Sequence, residues 1–225
     1  MATDLKKYCV IVPAYREQGR IGTVVEGIRR HCENVVVIDD GSPDDTAKEA
    51  GAAGAVVVKH AVNMGKGVAL NTGFKYALEN RYEFLITMDG DGQHDPSDIQ
   101  GFVAEYTKTG TPVLIGNRMD DPRAMPIVRR LTNRFMSWLL SRKMRQVVPD
   151  TQSGFRLFKC DVLSGLAVQA ERFAAESEIL LLLSRQGIKI GSVPIKTIYR
   201  GEKSKINPIK DTIGFFKMLL HHIRR

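Results

Sequence analysis

Two carboxylates two residues apart, then an amide, an imidazole and a third carboxylate, stand at Asp89, Asp91, Gln93, His94 and Asp95 of MDGDGQHDP, directly after the apolar run YEFLIT. A pair of hard oxygen ligands on one loop suits Mg²⁺ or Mn²⁺ when phosphate oxygens fill the remaining coordination positions. The same residues also make an ordinary turn, since Gly, Asp and Pro are what turns use. Three further clusters have this character. Pro13, Tyr15 and Glu17 close the run YCVIVPAY, Asp39-Asp40-Gly41-Ser42 follows NVVVI, and Asn63 to Gly67 follows AVVVKH. In IDDGSPDDT one carboxylate can hydrogen-bond a base or ribose while the other fixes the turn; Asp40 is taken as the ligand and Asp39 as shared or structural. NMGKGVALNTG lacks the third glycine of the dinucleotide fingerprint and the Ser/Thr of a Walker loop, which disfavours a dehydrogenase or an ATPase. Lys66, at a predicted helix N-terminus, can still meet a phosphate.

The elements that carry these clusters alternate. YCVIVPAY, NVVVIDD, AVVVKH and YEFLITMD read as apolar strands, and GRIGTVVEGIRRH, DDTAKEA and GKGVALNTGFKYALEN as the helices between them, with Asp44 or Asp45 as N-cap of the second. Near-continuous apolar strands alternating with helices predict an α/β fold with a parallel sheet covered on both faces. Ligands of such sheets bind beyond the carboxyl ends of the strands, where all four clusters lie. Independent turns have no reason to converge there. Further on, SDIQGFVAEYTK, PIVRRLTNRFMSWLLSRK, ESEILLLLSRQG and PIKDTIGFFKMLLHHIRR read as helices, and PVLIGNR, QSGFRLFK and IKIGSVPIKTIY as strands. With no repeats, low-complexity tracts or linker, residues 1–225 are expected to form a single domain, nucleotide-facing over about 1–95 and acceptor-facing over about 96–225.

Composition is consistent with this. The chain has 225 residues, 43% hydrophobic and 26% charged, and a formal net charge of +8 that suits phosphate-bearing partners. Cys9, Cys32 and Cys160 are odd in number and far apart, so neither a disulfide framework nor a zinc knuckle is expected, and a reducing compartment fits. No signal peptide and no run long enough to span a membrane is readable.

The segments VPAYRE, DDGSPDDT, GKGVALNTG, MDGDGQHDP, GNR and DTQSGFR, in this order and at these intervals, resemble the inverting family 2 glycosyltransferases of the GT-A fold. More narrowly, they resemble the dolichyl- or polyprenyl-phosphate mannosyl and glucosyl synthases. The resemblance runs from about Val10 to the C-terminus. It implies a Rossmann-like, mostly parallel sheet flanked by helices, and a GDP- or UDP-hexose donor. Pro13, Tyr15, Glu17, Ile38 and Asp40 would line the nucleotide-sugar pocket, with Lys66, Asp89 and Gly90. Asp91 would be the principal ligand of Mg²⁺ or Mn²⁺, assisted by Gln93, and Asp89 would face ribose or metal. The cation offsets charge on the leaving nucleoside diphosphate while a nucleophile attacks the anomeric carbon from the opposite face. A lipid-phosphate acceptor is already anionic and needs no base; a glycan or protein hydroxyl needs one, and Asp150 occupies the matching position. The expected catalytic set is Asp91, Asp150 and Arg118.

A phosphate acceptor calls for cations. Arg118 fits the family's acceptor-binding arginine and Arg129 or Arg130 a second, with Arg200 and Lys205 further candidates. The last helix carries Ile209, Ile213, Phe216, Leu220 and Ile223 at helical spacing, suited either to an anionic membrane interface or to the protein's own core. MPIVRRLTNRFMSWLL is a second membrane-contact candidate. Peripheral attachment at the cytoplasmic face of the membrane is therefore expected. Glu176 and Glu178 point to different helix faces, so one is expected to be buried, while His94 is a metal ligand or its neighbour and His221-His222 an interface pair. A nucleic-acid partner is disfavoured, because the basic residues are interleaved with an apolar face. The competing readings are a hydroxyl acceptor and an idle nucleotide-sugar binder.

Overall fold

The computed structural model describes residues 8–120, 125–166, 168, 174–196, 198 and 214–220. Among these residues seven strands form one sheet: β1 (Tyr8–Ala14), β2 (Val35–Asp39), β3 (Val56–Lys59), β4 (Phe84–Thr87), β5 (Val113–Asn117), β6 (Arg156–Lys159) and β7 (Ile190–Pro194), in the order β3-β2-β1-β4-β6-β5-β7. Between them run α1 (Ile21–Arg29), α2 (Thr46–Ala52), α3 (Lys66–Glu79), α4 (Ile99–Thr109), α5 (Ile127–Met144) and α6 (Ala174–Arg185). The first four strands are mutually parallel, and β5 and β7 are parallel to each other.

Both faces of the sheet are covered, which explains why the strands are apolar at successive positions rather than at alternate ones. Cys9 and Ile11 of β1, with Val36, Ile38 and Leu85, share a core with α3, α5 and α6. The intervening Tyr8, Val10 and Val12, with Val35, Val37 and Ile86, pack with Ile21, Val24, Val25 and Ile28 of α1 on the other face. β3 departs from the expected buried strand. It is the sheet edge, and its Val56 is exposed.

The strand order reverses at β1, whose neighbours are β2 and β4, so the crevice beyond the ends of β1 and β4 is the switch point where such sheets bind ligands. One strand breaks the parallel pattern. β6 is antiparallel to both β4 and β5, pairing Arg156 with Thr87 and with Ile115. Its amino end therefore lies beside the carboxyl ends of its neighbours, and the loop leading into it, Asp150 to Phe155, arrives at the same edge as Asp89 and Arg118. A parallel β6 would have left that loop at the opposite edge.

In the last helix, described over 214–220, Phe215, Met218 and Leu219 pack into the core shared with α5 and α6. Phe216 and Leu220 of the stripe singled out from sequence are exposed; Ile209, Ile213 and Ile223, like His221 and His222, lie outside the described residues. Both Glu176 and Glu178 are buried, not one of the two. Among the described residues no helix is long and apolar enough to cross a membrane.

Candidate active site

Asp89 and Asp91 share a loop but not an environment. Lys66, the first residue of α3, places its Nζ 2.6 Å from Asp89 Oδ1 and 2.7 Å from Glu176 Oε1, bridging the first half of the chain to α6. His94 Nε2 lies 3.6 Å from Asp89 Oδ2. On a further side the Gly154 backbone closes in, where an added Cβ would meet Asp89 Oδ2 at 2.5 Å. Burial alone would raise the Asp89 pKa, but Lys66 and His94 outweigh it and hold the carboxyl well below its ordinary range. Burial alone would likewise depress the Lys66 ammonium, and Asp89 and Glu176 together push it above the usual lysine value. Asp91 accepts the backbone N–H of Gln93 at 3.0 Å and joins no ion pair among the described residues. Burial and then the Asp89 charge raise its pKa. Of the two carboxylates, Asp91 is the one without an ion-pair partner among the described residues.

The donor set fits a hard divalent ion only in part. Among the described residues no three His, Cys, Asp or Glu side chains gather to hold one. Two loop carboxylates, one of them uncompensated, match a cation whose other ligands come from a diphosphate.

At the end of β2 the two aspartates differ in their partners. Asp40 is saturated: Oδ1 receives Met64 N–H at 2.9 Å and lies 2.7 Å from His60 Nδ1, and Oδ2 receives Gly65 N–H at 2.7 Å. His60 Nε2 continues to Thr72 Oγ1 at 3.0 Å. Asp40 thus organises the loop entering α3, which passes through Gly65 at φ 93°, a left-handed conformation that glycine adopts without strain. Asp39 Oδ1 accepts Ser42 N–H, while its fully buried Oδ2 has no hydrogen bond and lies 3.6 Å from Lys59 Nζ. The carboxylate oxygen left without a hydrogen bond therefore belongs to Asp39.

The other expected nucleotide residues are placed unevenly. Ile38 is fully buried in the core, so its side chain meets core residues and does not line a pocket. Glu17 is buried and paired with Arg20 at 2.8 Å, and its backbone N–H donates to Thr46 Oγ1. Tyr15 is exposed at the tip of the same loop, Pro13 is half-buried in β1, and Gly90 is buried against Ile21 and Val12.

At the ends of β5 and β6 Arg118 and Asp150, both buried, form a two-point pair, with Nε to Oδ2 at 2.6 Å and Nη2 to Oδ1 at 2.9 Å. The Arg118 backbone N–H adds a third bond at 3.2 Å. Burial favours the neutral carboxyl, yet Arg118 outweighs it and lowers the Asp150 pKa. Asp150 is consequently a fully engaged anion. Its loop is braced from both sides: Thr151 N–H donates to Ser137 Oγ of α5, and Gln152 Nε2 donates to Ser177 Oγ of α6. Arg156, invisible to sequence reasoning as a site residue, is fully buried and donates to the carbonyls of Ser153, Thr151 and Glu176. A groove of about 800 Å³ beside the pair is lined by Met119, Pro149 and Arg130 among others. Arg129 is half-buried on the same helix, and Arg200 and Lys205 lie outside the described residues.

The sheet with its β1 switch point, the loop carboxylates at its carboxyl edge and the Arg118–Asp150 pair opposite them define a glycosyltransferase of the GT-A type. The sequence profile of Glycosyl transferase family 2 matches residues 9–166, and the chain belongs to that family. A UDP-N-acetylglucosamine–dolichyl-phosphate N-acetylglucosaminyltransferase of Methanococcus voltae is 32% identical over 92% of this chain and 91% of its own length. A polyprenol monophosphomannose synthase of Mycolicibacterium smegmatis is 27% identical over 83% of this chain and 75% of that one. The glucosyl-3-phosphoglycerate synthase of Mycobacterium tuberculosis, solved with UDP, shares the fold at a TM-score of 0.75 and 22% identity, across 96% of this chain and 79% of that chain.

Since Gly154 leaves no space for a Cβ, Gly154→Ala should push Asp89 off Lys66. The expected outcome is a loss of transfer of about 10²-fold or more with a folded protein, by the usual cost of a misplacement of about 1 Å. Rates and circular dichroism of the purified variant check it; near wild-type activity would show that Asp89's position is immaterial.

Proposed function

We propose that the protein transfers a hexose, or its N-acetylamino derivative, from a nucleotide sugar to a polyprenyl or dolichyl phosphate, with inversion and with Mg²⁺ or Mn²⁺. The observation that carries this is the buried Arg118–Asp150 pair. A hydroxyl acceptor needs a base, and the carboxylate in the family's base position is spent on a guanidinium. A phosphate acceptor needs no base but does need a fixed cation, which a guanidinium oriented by two hydrogen bonds supplies. The lipid-phosphate acceptors in the names of the Methanococcus and Mycolicibacterium relatives support the same reading.

In this scheme residues from about 1–95 hold the donor and those from about 96–225 the acceptor. Asp39 reads the base through its open oxygen, while Asp40 fixes the loop that sets Lys66. Asp91, with Asp89 and Gln93, would hold the divalent ion, which when bound supplies positive charge to the departing diphosphate. The Mn²⁺ and UDP-glucose found with the Mycobacterium tuberculosis enzyme are consistent with such a donor and ion. Lys66 keeps Asp89 charged and aimed. Arg118, with Arg130 along the groove, holds the acceptor phosphate so that an oxygen attacks the anomeric carbon opposite the leaving group, forming a glycosyl phosphate bond as the anomeric bond to the diphosphate breaks. Because the acceptor lipid resides in a bilayer, the protein acts peripherally at the cytoplasmic face of the membrane.

Two measurements test this. UDP-N-acetylglucosamine, UDP-glucose and GDP-mannose, each with and without Mn²⁺, should include one donor that raises the melting temperature by about 5–10 °C when saturating with metal. No metal-dependent shift with any donor would defeat the donor assignment. Asp150→Asn should raise the KM for polyprenyl phosphate while leaving a readily measured kcat, because it loosens Arg118. A kcat reduced to background at saturating acceptor would instead mark Asp150 as a base and favour a hydroxyl acceptor.

A further inference from the structure

The helix whose inner face braces the Asp150 loop carries exposed apolar side chains on its outer face. Ile127, Val128, Leu131, Phe135 and Trp138 form one stripe of α5, and each is more than half exposed. Phe135 and Trp138 stack on each other at 6.1 Å, and Val147, just past the helix, is 90% exposed. Isolated exposed apolar residues are ordinary, but a contiguous row of this size in a protein chain marks an interaction surface. The charges along this segment have one sign. From Met125 to Val148 the cations are Arg129, Arg130, Arg134, Arg142, Lys143 and Arg145, and there is no Asp or Glu. The Arg142 guanidinium lies 5.6 Å over the Trp138 ring, at the junction of the apolar and basic regions.

We infer that the outer stripe of α5, with Val147, is a docking surface for an anionic lipid bilayer. An aromatic and aliphatic ridge bordered by arginines suits the interface, where apolar side chains enter the acyl boundary and the guanidiniums meet phosphate. A protein partner would have to present an acidic apolar groove, whereas a bilayer presents both features everywhere. The inference rests on the lipid-phosphate reading above for its purpose and adds the orientation. The groove of about 800 Å³ is lined by Trp138, Val147, Arg134 and Arg130 as well as by Met119 and Pro149, the chain neighbours of Arg118 and Asp150. Docking by this stripe brings the groove to the membrane plane, so that an acceptor phosphate reaches the Arg118–Asp150 pair without its lipid leaving the bilayer.

Trp138 is the single tryptophan of the chain, so it reports on its own insertion. The full-length protein, without donor or acceptor, is mixed with vesicles of phosphatidylcholine alone or with an equal share of phosphatidylglycerol. The expected result is a blue shift of the tryptophan emission and co-sedimentation with the mixed vesicles, weaker by about tenfold or more with the neutral ones and reversed by salt. Leu131→Glu with Phe135→Glu should weaken co-sedimentation by about tenfold or more with unchanged thermal unfolding, since both side chains are exposed. No blue shift with anionic vesicles, or a double variant that sediments like the wild type, would overturn the inference. Vesicle binding that follows expectation in a protein that transfers no sugar to polyprenyl phosphate would instead sink the acceptor assignment and leave the docking surface standing.

Discussion

The Lys66 ammonium, held 2.6 Å from Asp89 and 2.7 Å from Glu176, is the interaction on which the rest of the site depends. Two carboxylates brought together at a partly buried sheet edge repel each other, and one would take a proton unless a cation came between them. Lys66 is that cation. It keeps Asp89 ionised at neutral pH and ties α3 to α6. Its own position is set one step back, where the Asp40 carboxylate collects the N–H groups of Met64 and Gly65 at the start of α3. A chain of contacts therefore runs from the end of β2, through the loop, to the end of β4.

The same logic recurs at the ends of β5 and β6 with the signs exchanged. Arg118 arrives on the end of β5 and Asp150 on the loop before β6, and the antiparallel setting of β6 is what makes them neighbours. Both are buried, so removing either leaves a costly lone charge, and together they present a guanidinium in one orientation. Arg156 supports the arrangement by donating to the carbonyls of Ser153 and Thr151 in the turn and of Glu176 in α6. The site thus holds two pinned ion pairs, Lys66 with Asp89 and Arg118 with Asp150, and Asp91 joins no ion pair among the described residues.

Much of this was legible in the sequence because apolar runs and turn residues alternate so regularly: β1, β2 and β4, α1 with its Ile21, Val24, Val25 and Ile28 face, and the position of Asp89 and Asp91 at the carboxyl end of β4 all follow from pattern. What pattern does not encode is which of two adjacent like residues turns inward. Asp39 and Asp40 differ only in their partners, His60, Met64 and Gly65 for one and Ser42 and Lys59 for the other, and those partners come from separate segments. Strand direction was equally hidden, since QSGFRLFK reads the same whether β6 runs parallel or antiparallel. The family resemblance implies Ile38 in the pocket, yet β2 is covered on both faces and the Ile38 side chain is buried in the core. The C-terminal helix is apolar on two stripes, and tertiary packing, not amphipathicity, selected Phe215, Met218 and Leu219 for the interior.

The central claim is that Lys66 neutralises Asp89 and so leaves Asp91 to hold the metal. Binding of Mn²⁺ in the presence of UDP, followed by the electron paramagnetic resonance signal of the free ion, addresses it without any acceptor or turnover. The account predicts that Asp91→Asn weakens Mn²⁺ binding by about tenfold or more while the fold is unchanged, in keeping with the loss of one anionic ligand. An Asp91→Asn protein that binds Mn²⁺ as tightly as the wild type would contradict it.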